Sequence, residues 1–154
     1  MAGTSKKSRK EDVTTPARGT ILLSIVMALI ALCGLADATY LTVMHLIGDD
    51  AVCGSSAGCS AVLGSAYASV GGIPTAAFGV VAYFVVFSAS ICRAFGYGWA
   101  RRILIVSIVG MFLATLGLLY LQAFVLHAFC PFCLFSAALT FLLTGILLAT
   151  WPSR

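Results

Sequence analysis

Residues 129–151 read FCPFCLFSAALTFLLTGILLATW and join two thiols, Cys130 and Cys133, to a continuous apolar run. The run after Cys133 is close to the roughly 20 residues that a helix needs to cross a bilayer. Cysteines at positions i and i+3 face the same way on a helix. The stretch therefore predicts a membrane-spanning helix that begins with a pair of thiols suited to redox chemistry.

The composition of the chain as a whole points to the same environment. Of its 154 residues, 61% are hydrophobic and 9% are charged, whereas soluble domains average about 25% charged residues. The chain is therefore expected to be an integral membrane protein surrounded by lipid. Its formal net charge of +4 is modest and collects at a few places, so nothing supports nucleic-acid binding.

Apolar runs predict an all-α bundle of four transmembrane helices, which together form one membrane domain over residues 20–151. The predicted spans are residues 20–47, 73–95, 103–126 and 133–151. The loop over residues 48–72 is rich in glycine, serine and alanine. Within it, residues 59–68 place apolar side chains at roughly helical spacing and predict a short lid helix.

The first 19 residues form a polar, basic tail that is expected to be disordered. An alternative is the start of a signal peptide that is cleaved near Ala36. The apolar run that begins at Ile21 is longer than the ~7–15 residues of a typical signal, which favours the tail. Residues 152–154 are expected to form a short terminus on the same side of the membrane.

Basic residues predict the orientation of the chain, because they accumulate on the cytoplasmic side. They occur in the tail, in the turn between the second and third spans, and at the end of the chain. They are Lys6, Lys7, Arg9, Lys10, Arg18, Arg93, Arg101, Arg102 and Arg154. Both termini are therefore expected in the cytoplasm, and the 48–72 loop and the Cys130–Cys133 pair on the oxidising, extracytoplasmic side.

Six cysteines are many for a chain of this length, and four of them come in pairs. Cys53 and Cys59 flank Gly-Ser-Ser-Ala-Gly. This segment is flexible, so the pair is expected to open and to meet a thiol of another protein. The alternative is a static disulfide that closes the loop. The second pair has its own alternatives: an inert disulfide, buried thiols, or a zinc site formed by all four thiols. No metal is expected on an oxidising face. The remaining two, Cys33 and Cys92, are interpreted as packing residues within spans.

The local sequence of the second pair favours reactive thiols. Pro131 suits the first position of a helix, and the positive end of the helix dipole favours thiolates there. Phe129 and Phe132 add aromatic surface on which a planar, apolar redox partner is able to stack. Within a membrane the simplest such partner is a quinone.

Further polar residues near the pair each have a functional and a structural interpretation. Asp37 is an ionisable residue at membrane depth, which is typical of a functional site, or it reaches the outer interface. His127 either shuttles a proton or is an ordinary interfacial histidine. Gln122 either donates to a quinone carbonyl or bonds between helices, and Tyr83 is interpreted as aromatic packing.

Four motifs in a fixed order resemble the vitamin K epoxide reductase family, in its bacterial branch. The first is the loop pair Cys53 and Cys59, followed by CSAVLGS at residues 59–65, GIPTAAFG at residues 72–79 and CPFC at residues 130–133. The combination is specific, and it covers about residues 20–151. The analogous bacterial disulfide-bond oxidase carries its C-x-x-C pair in the first outside loop, and the reverse order here argues against it.

The resemblance implies an enzyme, a quinone-dependent thiol-disulfide oxidoreductase. In this family electrons would run from the dithiol of a thioredoxin-like partner to Cys53, from Cys59 to Cys130, and from Cys133 to a quinone of the menaquinone, ubiquinone or phylloquinone type. The relay would support disulfide bond formation. The chain ends at Arg154, so the partner is expected to be a separate extracytoplasmic protein at a bacterial inner membrane.

The resemblance also implies a set of quinone contacts. Ser65 matches a family serine or threonine near the site, and Tyr83 matches an aromatic position of the second span. With the candidates above, the expected contacts are Ser65, Thr75, Tyr83, Gln122, Phe129 and Phe132. The vertebrate enzymes carry an asparagine and a tyrosine at the positions of Thr75 and Ala137, and this departure favours quinone reduction over epoxide reduction.

Two alternative functions remain: a true vitamin K epoxide or quinone reductase, and a non-catalytic four-span protein with structural disulfides. A transporter would be expected to carry charges or helix breaks near the midplane of several spans. Here the central spans lack charges, and the polar chemistry collects on one face of the membrane. The pattern of thiols therefore favours the enzyme.

Overall fold

The computed structural model describes residues 17–47, 58, 61–62 and 64–150. Within them, four helices are long and apolar enough to cross a membrane, which confirms the predicted four-helix membrane bundle. They are α1 (Arg18–Ile47), α2 (Thr75–Ala94), α3 (Gly98–Tyr120) and α4 (Pro131–Ala149). Cys53, Cys59 and the termini at residues 1–16 and 151–154 lie outside the described residues.

The helices begin at positions that the hydropathy pattern does not give. Helix α3 begins at Gly98 rather than residue 103, because Arg101 and Arg102 belong to its first turns instead of to a connecting loop. Helix α2 begins at Thr75 rather than residue 73, because the two residues before it form a short strand. Helix α4 begins at Pro131, with Cys130 as its N-cap.

The lid region differs from the predicted helix. Gly58, Ala61 and Val62 are helical, but residues 64–68 form turns, so the expectation of a helix through residue 68 is wrong there. The Ser65 hydroxyl donates to the Val62 carbonyl at 2.8 Å and helps to close the first of these turns.

A two-stranded hairpin, absent from the sequence-based prediction, connects the lid region to α2. Strand β1 (Ser69–Val70) pairs antiparallel with β2 (Ile73–Pro74). Gly71 and Gly72 form the connection with φ of 61° and 83°. Such left-handed backbone is favourable for glycine and typical of a tight hairpin, so the Gly-Gly dipeptide is the signal for this element.

Small residues bring α1 and α2 close together. Ala31, Gly34 and Ala38 are buried in α1, and a Cβ atom added at Gly34 would overlap the ring of Tyr83 in α2. A Cβ atom added at Gly79 would lie 3.4 Å from that of Ala38. Helices in membranes associate through such close approaches, because burial of apolar surface gives little driving force in lipid.

The bundle has two different ends. Arg93, Arg101 and Arg102 lie at the end where α2 meets α3, and the hairpin and the start of α4 lie at the other. The buried apolar core occupies the arginine half, with Met27, Val86, Leu104, Ile108 and Leu143 at its centre. The half near the hairpin is packed less completely, and it contains the cavity described below.

Gly34→Ala is expected to destabilise the bundle, because the added methyl group must displace the Tyr83 ring. Overpacking of this kind costs about 1–3 kcal/mol, which exceeds the ~1 kcal/mol that alanine gains over glycine in a helix. Gly110→Ala is the matched control, because nothing lies within 4 Å of a Cβ atom added there. Thermal unfolding in detergent should show a lower midpoint for Gly34→Ala only; equal midpoints would contradict this packing.

Candidate functional site

A change in helix type carries the chain from α3 to the cysteine pair. A π-helical turn, Leu121–Val125, follows α3 directly, and the Leu126 N–H donates to the Leu121 carbonyl at 2.8 Å. His127 then adopts a positive φ of 48°, a conformation that turns the chain sharply. Such π-turns occur frequently at functional sites, and this one brings Cys130 to the start of α4.

The buried side chain of Gln122 fixes the backbone of the pair. It is 3% exposed, and its Oε1 accepts a hydrogen bond from the Cys130 N–H at 3.2 Å. Its backbone carbonyl accepts a second one from Ala128 at 3.1 Å. The residue therefore holds both ends of the short connection that precedes α4.

The two thiols of the C-x-x-C pair lie in different surroundings. Cys130 is fully buried, whereas Cys133 is half-buried with a free thiol. A hydrogen bond from the Cys133 thiol lowers the pKa of Cys130 to about 6, against the opposing effect of burial. The backbone N–H groups of Phe132 and Cys133 act in the same direction. Cys130 is thus the thiolate of the pair.

Cys133→Ala is expected to raise the pKa of Cys130 from about 6 toward the ordinary thiol value of about 8.5. A thiolate exists above its pKa, so the wild-type thiolate persists at neutral pH and disappears below the midpoint, whereas the variant is mostly protonated at neutral pH. Thiolate ultraviolet absorbance against pH measures this, with Cys130→Ser as the blank and Cys92→Ala as the control. An unchanged midpoint in Cys133→Ala would contradict the assignment.

A cavity of about 440 Å³ lies beside Cys133 and is lined mainly by apolar side chains from all four helices and from the lid region. Four of the expected quinone contacts line it together with Cys133: Ser65, Thr75, Tyr83 and Gln122. The volume falls within the usual range of small-molecule sites, about 300–1,000 Å³. The buried Cys130 lies behind Cys133 and does not line the cavity.

The structure places the other candidates outside the cavity lining. Phe129 is 56% exposed, and the Phe132 ring lies 5.4 Å from the ring of Tyr40 on α1. His127 is exposed. Asp37 is 8% exposed, so it is buried between helices, and its Oδ2 has no hydrogen-bond partner.

The cavity lining also contains polar residues that were not among the candidates from the sequence, among them His45, Ser107, Thr115, Ser136 and Thr140. The Tyr83 hydroxyl lies 2.9 Å from the Ser136 hydroxyl and 3.2 Å from that of Thr140. Ser136 and Thr140 follow Cys133 by three and seven residues, which is the spacing of one helical face. That spacing was the available signal.

The lid region touches the connection that precedes Cys130. A Cβ atom added at Gly58 would lie 2.5 Å from the Phe129 carbonyl oxygen. The sequence neighbour of Cys59 therefore packs against the sequence neighbour of Cys130. Cys59 itself lies outside the described residues, as does Cys53.

The described part of the chain contains no cluster of three or more His, Cys, Asp or Glu side chains suited to holding a metal ion. Its polar groups instead collect around a cavity with one thiol in its wall. Donors and acceptors of this kind fit an uncharged organic molecule with a few polar groups.

Comparison with known proteins gives a match that covers most of the chain. The model of the Vitamin K epoxide reductase family matches residues 25–148. The chain belongs to the vitamin K epoxide reductase family. A search of curated proteins found no match. As a member of this family the chain is a multi-pass membrane redox enzyme, and the matched range contains all four of its paired cysteines.

Proposed function

We propose that the protein oxidises the dithiol of a thioredoxin-like partner and passes the electrons to a quinone, and that it thereby supports disulfide bond formation. Electrons run from the partner to Cys53 and Cys59, then to Cys130 and Cys133, and then to the quinone. One observation carries the proposal: Cys133 lines an apolar cavity between the four helices, and its thiol contacts the fully buried Cys130.

The lining of the cavity suits a quinone, a planar ring with two carbonyl oxygens. The ring would lie against apolar helix faces, and the carbonyls need hydrogen-bond donors. The Tyr83 hydroxyl, the Gln122 amide and the His45 imidazole line the cavity and carry N–H or O–H groups. When bound, the quinone would supply a two-electron acceptor; the chain supplies the thiols, the hydrogen-bond donors and an apolar cavity.

The two thiols have separate tasks in this scheme. Cys133 lies against the quinone. Cys130 completes the disulfide, because a thiolate is the attacking form in sulfur chemistry and its pKa is lowered to about 6 by the hydrogen bond from Cys133. One Cys130–Cys133 disulfide forms as two electrons and two protons pass to the quinone.

The next transfer restores the dithiol by thiol–disulfide exchange, in which Cys59 attacks at Cys130 and releases Cys133. Cys53 then attacks Cys59, which releases Cys130 and forms the Cys53–Cys59 disulfide. The contact between Gly58 and the Phe129 carbonyl supports this order, because it brings the lid region to the cysteine that lies away from the cavity. Cys53 then exchanges with the partner. Cys130 thus faces the donor side of the relay and Cys133 the acceptor side.

The orientation of the relay follows from the two ends of the bundle. Arginines lie at the end where α2 meets α3, and the cysteine pair at the opposite end. Basic residues mark the cytoplasmic side, so the thiols are proposed to face the extracytoplasmic compartment, at a bacterial inner membrane. Partner proteins with oxidisable dithiols occur in that compartment.

The same cavity favours quinone reduction over epoxide reduction. Thr75 and Ala137, which stand at the positions of the vertebrate asparagine and tyrosine, both line it. The Thr75 hydroxyl donates to the Tyr67 carbonyl at 3.0 Å, and alanine offers no polar group. Neither residue supplies the donors that its vertebrate counterpart has.

Ala137→Phe tests the proposal by filling the cavity without touching a cysteine. Ala137 lines the cavity one helical turn beyond Cys133, so a phenyl group there should lower quinone reduction by on the order of a hundredfold while Cys130 and Cys133 still form a disulfide with a small oxidant. Ala138→Phe is the matched control, because Ala138 is exposed and does not line the cavity. Equal quinone reduction by the two variants would contradict the proposal.

A further inference from the structure

Asp37 is the only acidic residue in the described part of the chain, and it lies deep in α1. It is 8% exposed, and its Oδ2 is buried without a hydrogen-bond partner. An ionised carboxylate in such a position loses the hydrogen bonds that water gives it, at high cost in free energy. Ionisable groups at membrane depth are rare, and they mark functional sites.

The contacts of the helical turn before Asp37 define its position along the bundle axis from one side. Gly34, one turn earlier in α1, packs against the ring of Tyr83. The Tyr83 hydroxyl in turn contacts Ser136 and Thr140 of α4. The turn of α1 before Asp37 is therefore level with the second and third turns of α4.

The contact of the helical turn after Asp37 defines its position along the bundle axis from the other side. Tyr40, one turn later in α1, has its ring 5.4 Å from that of Phe132. Because α1 and α4 run in opposite directions, Asp37 lies between these two contacts, at the level of the α4 turn that carries Cys133. A buried carboxyl and the redox pair therefore lie at one level of the bundle.

The electrostatics of the site agree with this register. The hydrogen bond from Cys133 lowers the pKa of Cys130, and a negative charge on Asp37 acts against it. Two negative charges in a buried site are unfavourable together. The arginines of the described chain lie at the far end of the bundle. On α1 itself, Cys33 and Tyr40 lie within about one helical turn of Asp37. On the neighbouring helices, a charge on Asp37 acts on Tyr83 of α2 and on Cys130 and Cys133 at the start of α4.

We propose that Asp37 carries the second proton of the reduced Cys130–Cys133 pair: its carboxyl is protonated while the disulfide is open and loses that proton when the disulfide closes. The inference deepens the proposed function and rests on it, since the electrons of this pair are those that go to the quinone. Asp37 is a positioning residue for a proton, and it does not line the cavity.

Reduction and oxidation of the Cys130–Cys133 disulfide each involve two electrons and two protons. On reduction, the sulfur–sulfur bond breaks and two electrons enter. Cys133 takes one proton and becomes a thiol, Cys130 becomes a thiolate that accepts the hydrogen bond from Cys133, and the Asp37 carboxylate takes the other proton. On oxidation, the same two electrons and two protons leave for the quinone, which becomes a quinol. The net charge of the site does not change, so no charge is created in a medium of low dielectric constant.

The test is the number of protons that accompany reduction of the pair in the full-length, quinone-free protein. The disulfide is equilibrated with a thiol redox buffer at several pH values above the pKa of Cys130, and the Cys130–Cys133 disulfide is quantified by mass spectrometry. The known potential of the buffer at each pH, which already contains the two protons of the buffer thiols, then gives the equilibrium constant of the protein's own half-reaction. Uptake of two protons changes this constant a hundredfold per pH unit, and uptake of one proton changes it tenfold, or about 30 mV for a two-electron couple. The wild type should show the hundredfold dependence.

Three variants complete the design. Asp37→Asn should show the tenfold dependence, because its side chain takes up no proton, and Asp37→Glu should restore the hundredfold dependence. Ser24→Ala is the matched control: the Ser24 hydroxyl is also buried in α1 without a partner, but near the other end of the helix. It should leave the wild-type dependence unchanged. Equal dependences in the wild type and Asp37→Asn would overturn the inference.

Infrared difference spectra separate proton uptake from a purely electrostatic effect of Asp37 on Cys130. The reduced-minus-oxidised spectrum of the wild type should contain the carbonyl band of a protonated aspartic acid, identified by isotope-labelled aspartate. Absence of that band would overturn the inference, even if Asp37→Asn does not fold. Neither measurement contains quinone. Failure of quinone reduction would therefore contradict the proposed function without changing the proton count or the infrared band of Asp37.

Discussion

Cys133→Ala is expected to abolish quinone reduction, with a loss on the order of 10³-fold or more, because the residue combines several functions that no neighbour replaces. It supplies the sulfur that lines the cavity and half of the disulfide in which the reaction ends. It also donates the hydrogen bond that lowers the pKa of Cys130. The measurement is quinol formation by the purified protein, with a small dithiol as the electron donor.

The control for this result is Cys92→Ala. Cys92 is a half-buried free thiol near the arginine end of α2, in the half of the bundle away from the cavity. Its removal should leave the rate of quinol formation within about twofold, as is usual for substitutions away from a site. Quinone reduction by Cys133→Ala at a rate near that of Cys92→Ala would remove Cys133 from the relay.

Cys53→Ala is expected to separate the two halves of the relay. Transfer from a thioredoxin-like dithiol should fall by at least about a hundredfold, because the thiol that meets the partner is lost. Reduction of quinone with a small dithiol should persist, because such a reagent reduces the Cys130–Cys133 disulfide directly. Both rates are measured as quinol formation on the same preparation. Equal losses with the two donors would contradict the order of the relay.

Cys59→Ala provides the complementary observation. Cys53 then still forms a mixed disulfide with the partner, but this chain no longer has the neighbouring thiol that would resolve it toward a Cys53–Cys59 disulfide. The covalent complex should accumulate and be visible on non-reducing gels, and mass spectrometry of the trapped species identifies the partner. A relay in which Cys59 meets the partner first would instead give the complex with Cys53→Ala.

The four spans could be predicted from the sequence because long apolar runs have few alternatives in a membrane. The start of α3 could not be predicted in the same way. The charges of Arg101 and Arg102 indicate a connecting loop, but both residues lie in the first turns of the helix. The hairpin depends on φ values at Gly71 and Gly72 that a hydropathy pattern does not contain. The differences from the sequence-based prediction therefore lie mainly in local backbone conformation.

The candidate site was predictable in its chemistry and less so in its geometry. The C-x-x-C spacing identified Cys130 and Cys133, but it does not say where neighbouring side chains point. Successive residues of a helix differ by about 100° in direction, so Phe132 turns toward Tyr40 while Cys133 lines the cavity. The hydrogen bond from the Cys130 backbone to Gln122 depends on the π-turn, which no sequence pattern indicates.

A single-turnover experiment couples quinone reduction to the second cysteine pair. A variant that keeps only this pair, Cys53→Ala with Cys59→Ala, is reduced, the reductant is removed, and quinone is added without a partner. Quinol and the Cys130–Cys133 disulfide are then quantified in the same sample. Quinol and the Cys130–Cys133 disulfide should appear in equal amounts and at the same rate. Quinol without this disulfide, or the disulfide without quinol, would contradict the proposed function.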